Sequence, residues 1–290
     1  MTHTVAAPEG LLLVDKPGGM TSHDVVDAER RALRTRRIGH AGTLDPMATG
    51  LLLLGVGRAT RLLRYFGELA KTYEGVARLG EETDTLDAQG EVVRTALVAV
   101  SLADVERACA ALVGEIEQTP PAYSAVKVGG RKLYEAARRG ERIDAPGRRV
   151  RVDTFDVSAF EGRDVVFRVI CSGGTYVRVL AADVGRALGC GAHLIELRRT
   201  AIGPFLVQDA RAPGHAELLP IERAVAHLPR VELEPAEARA ASNGSILGPA
   251  GVAGPYGVFE RDGRLVGVYR DEGPRARPEV VLATSDELVR

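Results

Sequence analysis

The sequence predicts an α+β fold: many short strands interspersed with a few helices, followed by a small β-rich tail. Three observations carry this expectation. Strand-like runs recur without the regular strand–helix alternation that a doubly wound parallel sheet requires. Helix signals are confined to a few capped segments. A proline-marked change of composition at residues 229–235 separates a long first part, residues 1–230, from a tail, residues 231–290. A chain of 290 residues has room for one large domain and one small one around a substantial core.

Residues 1–9 read as an unstructured lead-in. Residues 11–14 are all apolar and form a short buried strand, ended by Asp15-Lys16-Pro17-Gly18-Gly19. Thr21 or Ser22 caps a helix running to about Leu33, with Val25, Val26, Ala32 and Leu33 on one face. Residues 51–54 are leucines that anchor the preceding loop in the core. Residues 72–79 alternate as a strand, placing Tyr73, Gly75, Ala77 and Leu79 on one side. Ser101 and Asp104 form a capping box that opens a helix through about Val113. Residues 150–157 and 165–171 read as strands, the second ending in Ser172-Gly173-Gly174. From Thr175 to about Leu188 the pattern is helical, which puts Arg178 near a helix start, and residues 194–199 form a further strand. In the tail, residues 256–260 and 265–269 flank Arg261-Asp262-Gly263-Arg264, a hairpin with Asp-Gly at its turn. Residues 278–283 add another strand.

The net charge is −1, from 38 basic and 39 acidic side chains, so no global charge announces a nucleic-acid partner. Basic residues are nevertheless gathered. Arg30, Arg31, Arg34, Arg36 and Arg37 precede residue 40, and Arg138, Arg139, Arg142, Arg148, Arg149 and Arg151 form a second group. Each group reads either as a solvated face or as a phosphate-contacting surface. Arginine carries almost all the positive charge, since only Lys16, Lys71, Lys127 and Lys132 are lysines. That bias follows from a GC-rich genome as readily as from bidentate phosphate binding. Cys109, Cys171 and Cys190 are isolated and odd in number, which argues against a disulfide framework or a zinc site and fits a reducing, cytoplasmic setting. No apolar run approaches a membrane span, and the first residues lack a secretory signal pattern, so no membrane association is expected.

Residues 39–46 display one carboxylate and one imidazole in a loop of small residues. Pro46 biases Asp45 toward extended geometry, and Gly39 and Gly42 permit close backbone approach. The residues alone leave both a common Asp-Pro turn and a working carboxylate open. A metal reading of His40, Asp45, Asp84 and His193 fails on spacing. The stretch from Gly55 to Thr60 lacks the third glycine of a dinucleotide loop, and no phosphate-loop motif occurs.

A resemblance narrows the choice. GHAGTLDPMATG at residues 39–50 is similar to the catalytic-loop signature of the TruB-type tRNA pseudouridine synthases. The same order then continues with KTYE at 71–74 and RLG at 78–80, TDTLDAQG at 83–90, PPAYSAVK at 120–127, GTYVR at 174–178, and AHL through LRRT at 192–200. These six matches span about two thirds of the chain and identify it as a member of that family. The resemblance implies a large mixed, mostly antiparallel sheet with flanking helices and a central catalytic cleft. It implies isomerisation of uridine to pseudouridine at position 55 in the T-loop of tRNA, by base flipping, glycosidic cleavage and reattachment through C5, with no cofactor and no metal.

By the same resemblance Asp45 is the essential aspartate, and Arg178 pairs with it and keeps it ionised. An arginine at a helix start is slightly disfavoured by the helix dipole, which fits a specific task for Arg178. Tyr73 matches the tyrosine that packs on the target uracil; as a strand tyrosine it reads equally as core or rim. Tyr176 and Leu197 match residues lining the uracil pocket, and Asp87 matches a polar residue that positions substrate. His40 matches the histidine that fills the space left by the flipped base, although a lone loop histidine is more often a satisfied turn residue. Residues 121–149 correspond to an insertion closing over the T-arm, a mobile basic clamp that orders on RNA. The tail resembles a small PUA-type RNA-binding domain. The expected partner is the tRNA T-arm, with a monomeric chain and no obligate protein partner. A tRNA-folding chaperone independent of catalysis is the alternative. The guide-RNA-dependent rRNA branch would need a longer chain.

Overall fold

The computed structural model describes residues 7–124, 126–137, 139–141 and 143–282, apart from the side chain of Lys132. A nine-stranded sheet forms the body. Its main path runs Gly10–Lys16, Thr49–Val56, Ala192–Ile202, Lys71–Leu79, Asp164–Cys171, Arg148–Glu161 and Gly114–Gln118. Ile38–His40 pairs with Thr49–Val56, and Phe205–Leu206 pairs with Ala192–Ile202. Every pairing is antiparallel except the short parallel contact of Arg198 and Arg199 with Thr49 and Gly50. The sheet is therefore mixed and mostly antiparallel, as the resemblance implied.

The leucine runs explain the centre. Leu12 pairs with Leu54, Leu13 with Leu53 and Val14 with Leu52. Leu12, Val14, Leu52 and Leu54 face the helix Ser22–Ala32 through Val25 and Val26. Leu11, Leu13, Leu51 and Leu53 face the opposite way, onto Leu62, Tyr65 and Phe66 of the 3-10 helix Gly57–Phe66. Strands covered on both faces carry unbroken apolar runs instead of alternation. On the other half of the sheet, helices Leu102–Ala110 and Val177–Ala187 pack over Ala77, Leu79, Val152, Val165 and Phe167.

Several elements depart from the sequence expectations. The first helix buries Ser22, Val25, Val26 and Glu29, while Ala32 is exposed. Glu29 takes the buried position because its carboxylate accepts from the Gly214 N–H at 2.8 Å, a partner far off in sequence. The second helix stops at Ala110, with Leu112 and Val113 turning tightly back onto Cys109 and Ala110, so that Gly114–Gln118 can join the sheet edge. That edge strand, Ile38–His40 and the 3-10 helix carry no local signal and were not anticipated. Residues 1–6, where most of the lead-in was expected, lie outside the described residues. Glu9, also assigned to it, is tied to Arg58 at 2.6 Å.

In the expected insertion, Lys127–Val128 pairs with Arg131–Lys132, and the helix Leu133–Ala137 buries Leu133 and Ala136. Arg138 and Arg142 of the second arginine group fall outside the described residues. Arg139 is paired with Glu141 at 3.0 Å and Arg151 with Asp153 at 2.7 Å.

The tail is a four-stranded sheet ordered Arg230–Glu232, Pro255–Phe259, Leu265–Glu272 and Arg275–Val281, with Asp262-Gly263 in the hairpin loop. It also holds a helix, Pro235–Ser242, that the β-only reading missed. Tyr256, Val258, Val266 and Tyr269 pack against this helix. Phe259, Leu265, Val268, Val280 and Leu282 turn toward Leu11, Leu13, Leu51, Tyr65 and Phe66, so the tail shares a core with the main sheet. Among the described residues no helix is long and apolar enough to cross a membrane.

Candidate active site

Asp45 sits in the loop between the edge strand Ile38–His40 and Thr49–Val56, and this loop is fastened along its length. Ser22 Oγ accepts from the Leu44 N–H at 2.9 Å and donates to the Leu44 carbonyl at 3.2 Å. The Pro46 carbonyl accepts from the Gly19 N–H at 2.8 Å and from Lys16 Nζ at 3.2 Å. Lys16, wholly buried, spends its other bonds on the carbonyls of Pro17 and Met20. Gly50, with φ 101°, is required where the loop enters the strand: a Cβ there would lie 2.2 Å from the Arg199 carbonyl oxygen.

Arg178 reaches the loop from the start of the helix Val177–Ala187. Tyr176 is the N-cap residue and makes no side-chain cap. Its backbone is held instead by Gln118, which accepts from the Tyr176 N–H at 3.0 Å and donates to its carbonyl at 3.3 Å. The Arg178 side chain is 4% exposed; Nη2 lies 3.3 Å from Asp45 Oδ1, and Nη1 lies 3.2 Å from Asp87 Oδ2. Nη2 also donates to the Tyr123 carbonyl at 2.7 Å. The other oxygen of Asp87 accepts from Thr85 Oγ1 at 2.7 Å and from the Gln89 N–H at 3.0 Å, so both its oxygens are engaged by the protein.

Burial pushes the Asp45 carboxyl above its ordinary value; Arg178 opposes the rise and Asp87 adds to it. Desolvation is the larger of these effects, and the Arg178 charge works against it to keep the carboxylate ionised. Tyr73 is buried on the central strand, and Arg199 stands opposite it on the neighbouring strand, its guanidinium 6.0 Å from the ring centroid. Burial also raises the Tyr73 phenol, against the pull of Arg199. His40 is half-buried, its Nδ1 has no hydrogen-bond partner, and burial with the Arg199 charge lowers its pKa and favours the neutral ring. Arg148 lies 4.3 Å over the Tyr176 ring.

These side chains line one cleft of about 710 Å³, a size suited to a small organic moiety. Asp45, Tyr73, Arg178, His40, Tyr176, Leu197 and Asp87 are all brought to it, although they come from five separate stretches of chain. Lys71 and Arg199 line it too, with Lys16 packed behind the loop. In the sequence Lys71 and Arg199 fall inside the KTYE and LRRT motifs, which assign them no task. The available signal was the strand period, which puts Lys71 on the same buried face as Tyr73, Ala77 and Leu79.

Three family models match consecutive parts of the chain. They are the N-terminal domain of the TruB family pseudouridylate synthases over residues 30–177, the tRNA pseudouridylate synthase B C-terminal domain over 178–226, and the tRNA pseudouridine synthase II C-terminal model over 228–283. A tRNA pseudouridine synthase B of Mycolicibacterium paratuberculosis is 45% identical over 289 residues, covering 95% of this chain and 98% of that one. One from Thermobifida fusca is 45% identical over 291 residues, covering 96% and 99%. Among solved structures, a Cbf5-Nop10-Gar1 complex matches with TM-score 0.75 and 27% identity, over 96% of this chain and 86% of that chain. An H/ACA RNP bound to a substrate RNA containing 2′-deoxyuridine matches with TM-score 0.72 and 26% identity, over 96% and 87%. By a matching family model over more than half its length and by relatives spanning nearly all of it, the chain belongs to the TruB family of pseudouridylate synthases.

Proposed function

We propose that the chain isomerises uridine to pseudouridine in tRNA, and that its target is uridine 55 of the T-loop. The observation that carries this reading is the Asp45 carboxylate, 30% exposed and facing a deep cleft, with the buried Arg178 3.3 Å behind it. In the reaction the C1′–N1 bond breaks, the ring turns, C1′ bonds to C5, the C5 proton leaves and N1 gains one. Electrons and atoms balance within the substrate, so no external oxidant or reductant enters.

Asp45 is the catalytic carboxylate in this reading. Desolvation leaves it more basic than a surface aspartate, which strengthens it as a nucleophile or proton acceptor at the ribose or base. Arg178 orients it, and Asp87 holds Arg178 in turn, with both Asp87 oxygens already engaged by the protein. Tyr73 and Leu197 receive the uracil ring between the central strands, and Tyr176 borders it from the helix start. Extruding a stacked uridine costs a few kcal/mol, and the neutral, half-buried His40 at the cleft wall offers a flat ring to the vacated space.

The T-arm is the natural reach of the cleft. The insertion at residues 121–149 closes over it, and the tail, residues 231–290, serves as a PUA-like surface for more distant tRNA contacts. The chain acts as a monomer in the cytoplasm; its three cysteines are free and buried, in keeping with a reducing compartment. A chaperone without catalysis is the weaker reading, because the Asp45–Arg178–Asp87 arrangement serves no purpose in RNA unfolding. The test is tritium release from a T-arm hairpin carrying 5-tritiated uridine at the target position. Release with formation of pseudouridine supports the reading; tRNA binding without release would leave the chaperone.

A further inference from the structure

Three cations are buried around the cleft floor with no ion-paired carboxylate among the described residues. Lys16 and Arg199 are at most 1% exposed and Lys71 is 6% exposed. Lys71 Nζ donates to the carbonyls of Phe66, Gly67 and Leu69 at 2.6–2.9 Å. Arg199 donates to the carbonyls of Leu51 at 2.7 Å and Gly42 at 3.2 Å. Lys16 uses only the carbonyls of Pro17, Met20 and Pro46. Among the described residues none of the three makes an ion pair, whereas Arg178 has two carboxylates to itself. Cations therefore outnumber carboxylates on the cleft wall, where Lys71, Arg148, Arg178 and Arg199 face Asp45 and Asp87.

Burying cations on carbonyls alone is expensive, and an apolar or ion-paired alternative would stabilise the sheet better. Desolvation lowers the pKa of both Lys16 and Lys71 to about 8, and the Arg199 charge adds to the fall, opposed at Lys16 by Asp45. Such a cost is retained at functional sites. The placement is specific. Lys71 and Tyr73 are two residues apart on one face of the central strand, and Arg199 is the cross-strand neighbour of Tyr73. The Arg199 charge thus lies 6.0 Å from the centre of the Tyr73 ring, with Lys71 on the same face of the strand.

We propose that Arg199, with Lys71 behind it, stabilises the negative charge that the uracil ring carries during the exchange of its bond to ribose, acting through and beside Tyr73. This rests on the isomerase reading above. When C1′–N1 breaks, its electron pair stays on the base and spreads over N1, O2 and O4. If Asp45 instead adds to the ring first, the electron pair displaced by that addition also collects on the ring and its carbonyl oxygens. In both routes the base becomes anionic, and a fixed cation in a low-dielectric wall favours that state over neutral uridine. Arg199 is a positioning residue in this scheme, because Tyr73 stands between it and the ring.

The test compares single-turnover loss of the N-glycosidic link in two T-arm hairpins, one with uridine and one with 5-fluorouridine at the target. Fluorine withdraws electrons and stabilises the base anion unaided. Wild type must first convert the uridine hairpin; failure there would overturn the isomerase reading itself, and this proposal with it. Given conversion, Arg199→Gln is expected to slow the uridine hairpin about 10- to 10²-fold with affinity retained, less than removal of a directly bonded oxyanion donor. The loss on 5-fluorouridine should be about tenfold smaller. Arg199→Lys keeps the charge at a shorter reach and should fall between wild type and Gln on both measures. It also carries the test if the Gln variant does not fold. Equal losses on the two hairpins, or an unimpaired rate in Arg199→Gln, would make Arg199 a tie between strands and overturn the proposal.

Discussion

The guanidinium of Arg178 lies 3.3 Å from the carboxylate of Asp45, and the two differ sharply in exposure, at 4% and 30%. The cation is locked from behind by Asp87 and the Tyr123 carbonyl, while the carboxylate looks into the cleft. A fixed cation beside an accessible carboxylate is the kind of arrangement that preorganised sites use.

Asp45→Asn should abolish pseudouridine formation and leave tRNA binding nearly intact, since binding comes mainly from phosphate contacts. It should also leave the protein no less stable at pH 7. The folded-state pKa of Asp45 is raised, so its protonated form is the one the fold favours. That contribution is present at low pH and lost as pH rises through the folded value. The charge removed by Asn is then an unfavourable one, and Arg178 keeps Asp87 as partner. Thermal melts at pH 7 check this; a midpoint several degrees below wild type would show that the ion pair outweighs desolvation. In the same way the wild-type rate should fall with acid along a limb set above the ordinary aspartate value.

Tyr73→Phe removes one oxygen from a buried ring that Arg199 faces. The packing cost should be small, and the effect on catalysis much larger. Tritium release from a 5-tritiated hairpin should stall while melting temperature changes little. Wild-type release rates would leave Tyr73 as packing only.

His40→Ala should slow catalysis without ending it, because aromatic stacking is worth roughly 1–3 kcal/mol per base. His40→Phe should recover more activity than Ala, since the Nδ1 atom already lacks a partner. Comparing kcat/KM for the two variants on full tRNA decides it. Phe no better than Ala would assign the histidine to loop structure.

Deleting the chain from Val231 onward should do more than weaken tRNA binding. Phe259, Val268, Val280 and Leu282 fill one core with Leu11, Leu51 and Phe66. Tyr65 donates to Glu279 at 2.8 Å and Arg58 to the Leu282 carbonyl at 2.7 Å across the same seam. The truncated protein should aggregate or melt at much lower temperature, losing hairpin and tRNA activity together. Phe259→Ala is the milder probe, with a cost of about 3–5 kcal/mol by denaturant unfolding. A soluble truncation with full hairpin activity would show that the seam is dispensable.

Much of the site was legible in the sequence because its elements are locally specified. The Asp45 loop is marked by Gly42, Pro46 and the leucines behind it. The helix carrying Arg178 is announced by the Ser172-Gly173-Gly174 turn, and the Thr21–Asp24 and Ser101–Asp104 capping boxes both formed where sequence placed helix starts. Strand periodicity put Tyr73 on the buried face. These signals act over a few residues and survive without knowledge of the neighbours.

What sequence by itself determined was therefore most of the elements, the family to which they belong and the loop that displays Asp45. Only the tertiary structure decided how charges are balanced. Asp87 proves to be bonded through both oxygens, Glu29 is buried for the sake of Gly214, and Arg199 and Lys71 line the cleft with no ion-pair partner among the described residues. It alone showed that the tail completes the core of the main sheet. The reason is the same in each case: desolvation and pairing depend on what packs against a residue from distant parts of the chain, and no local pattern encodes that.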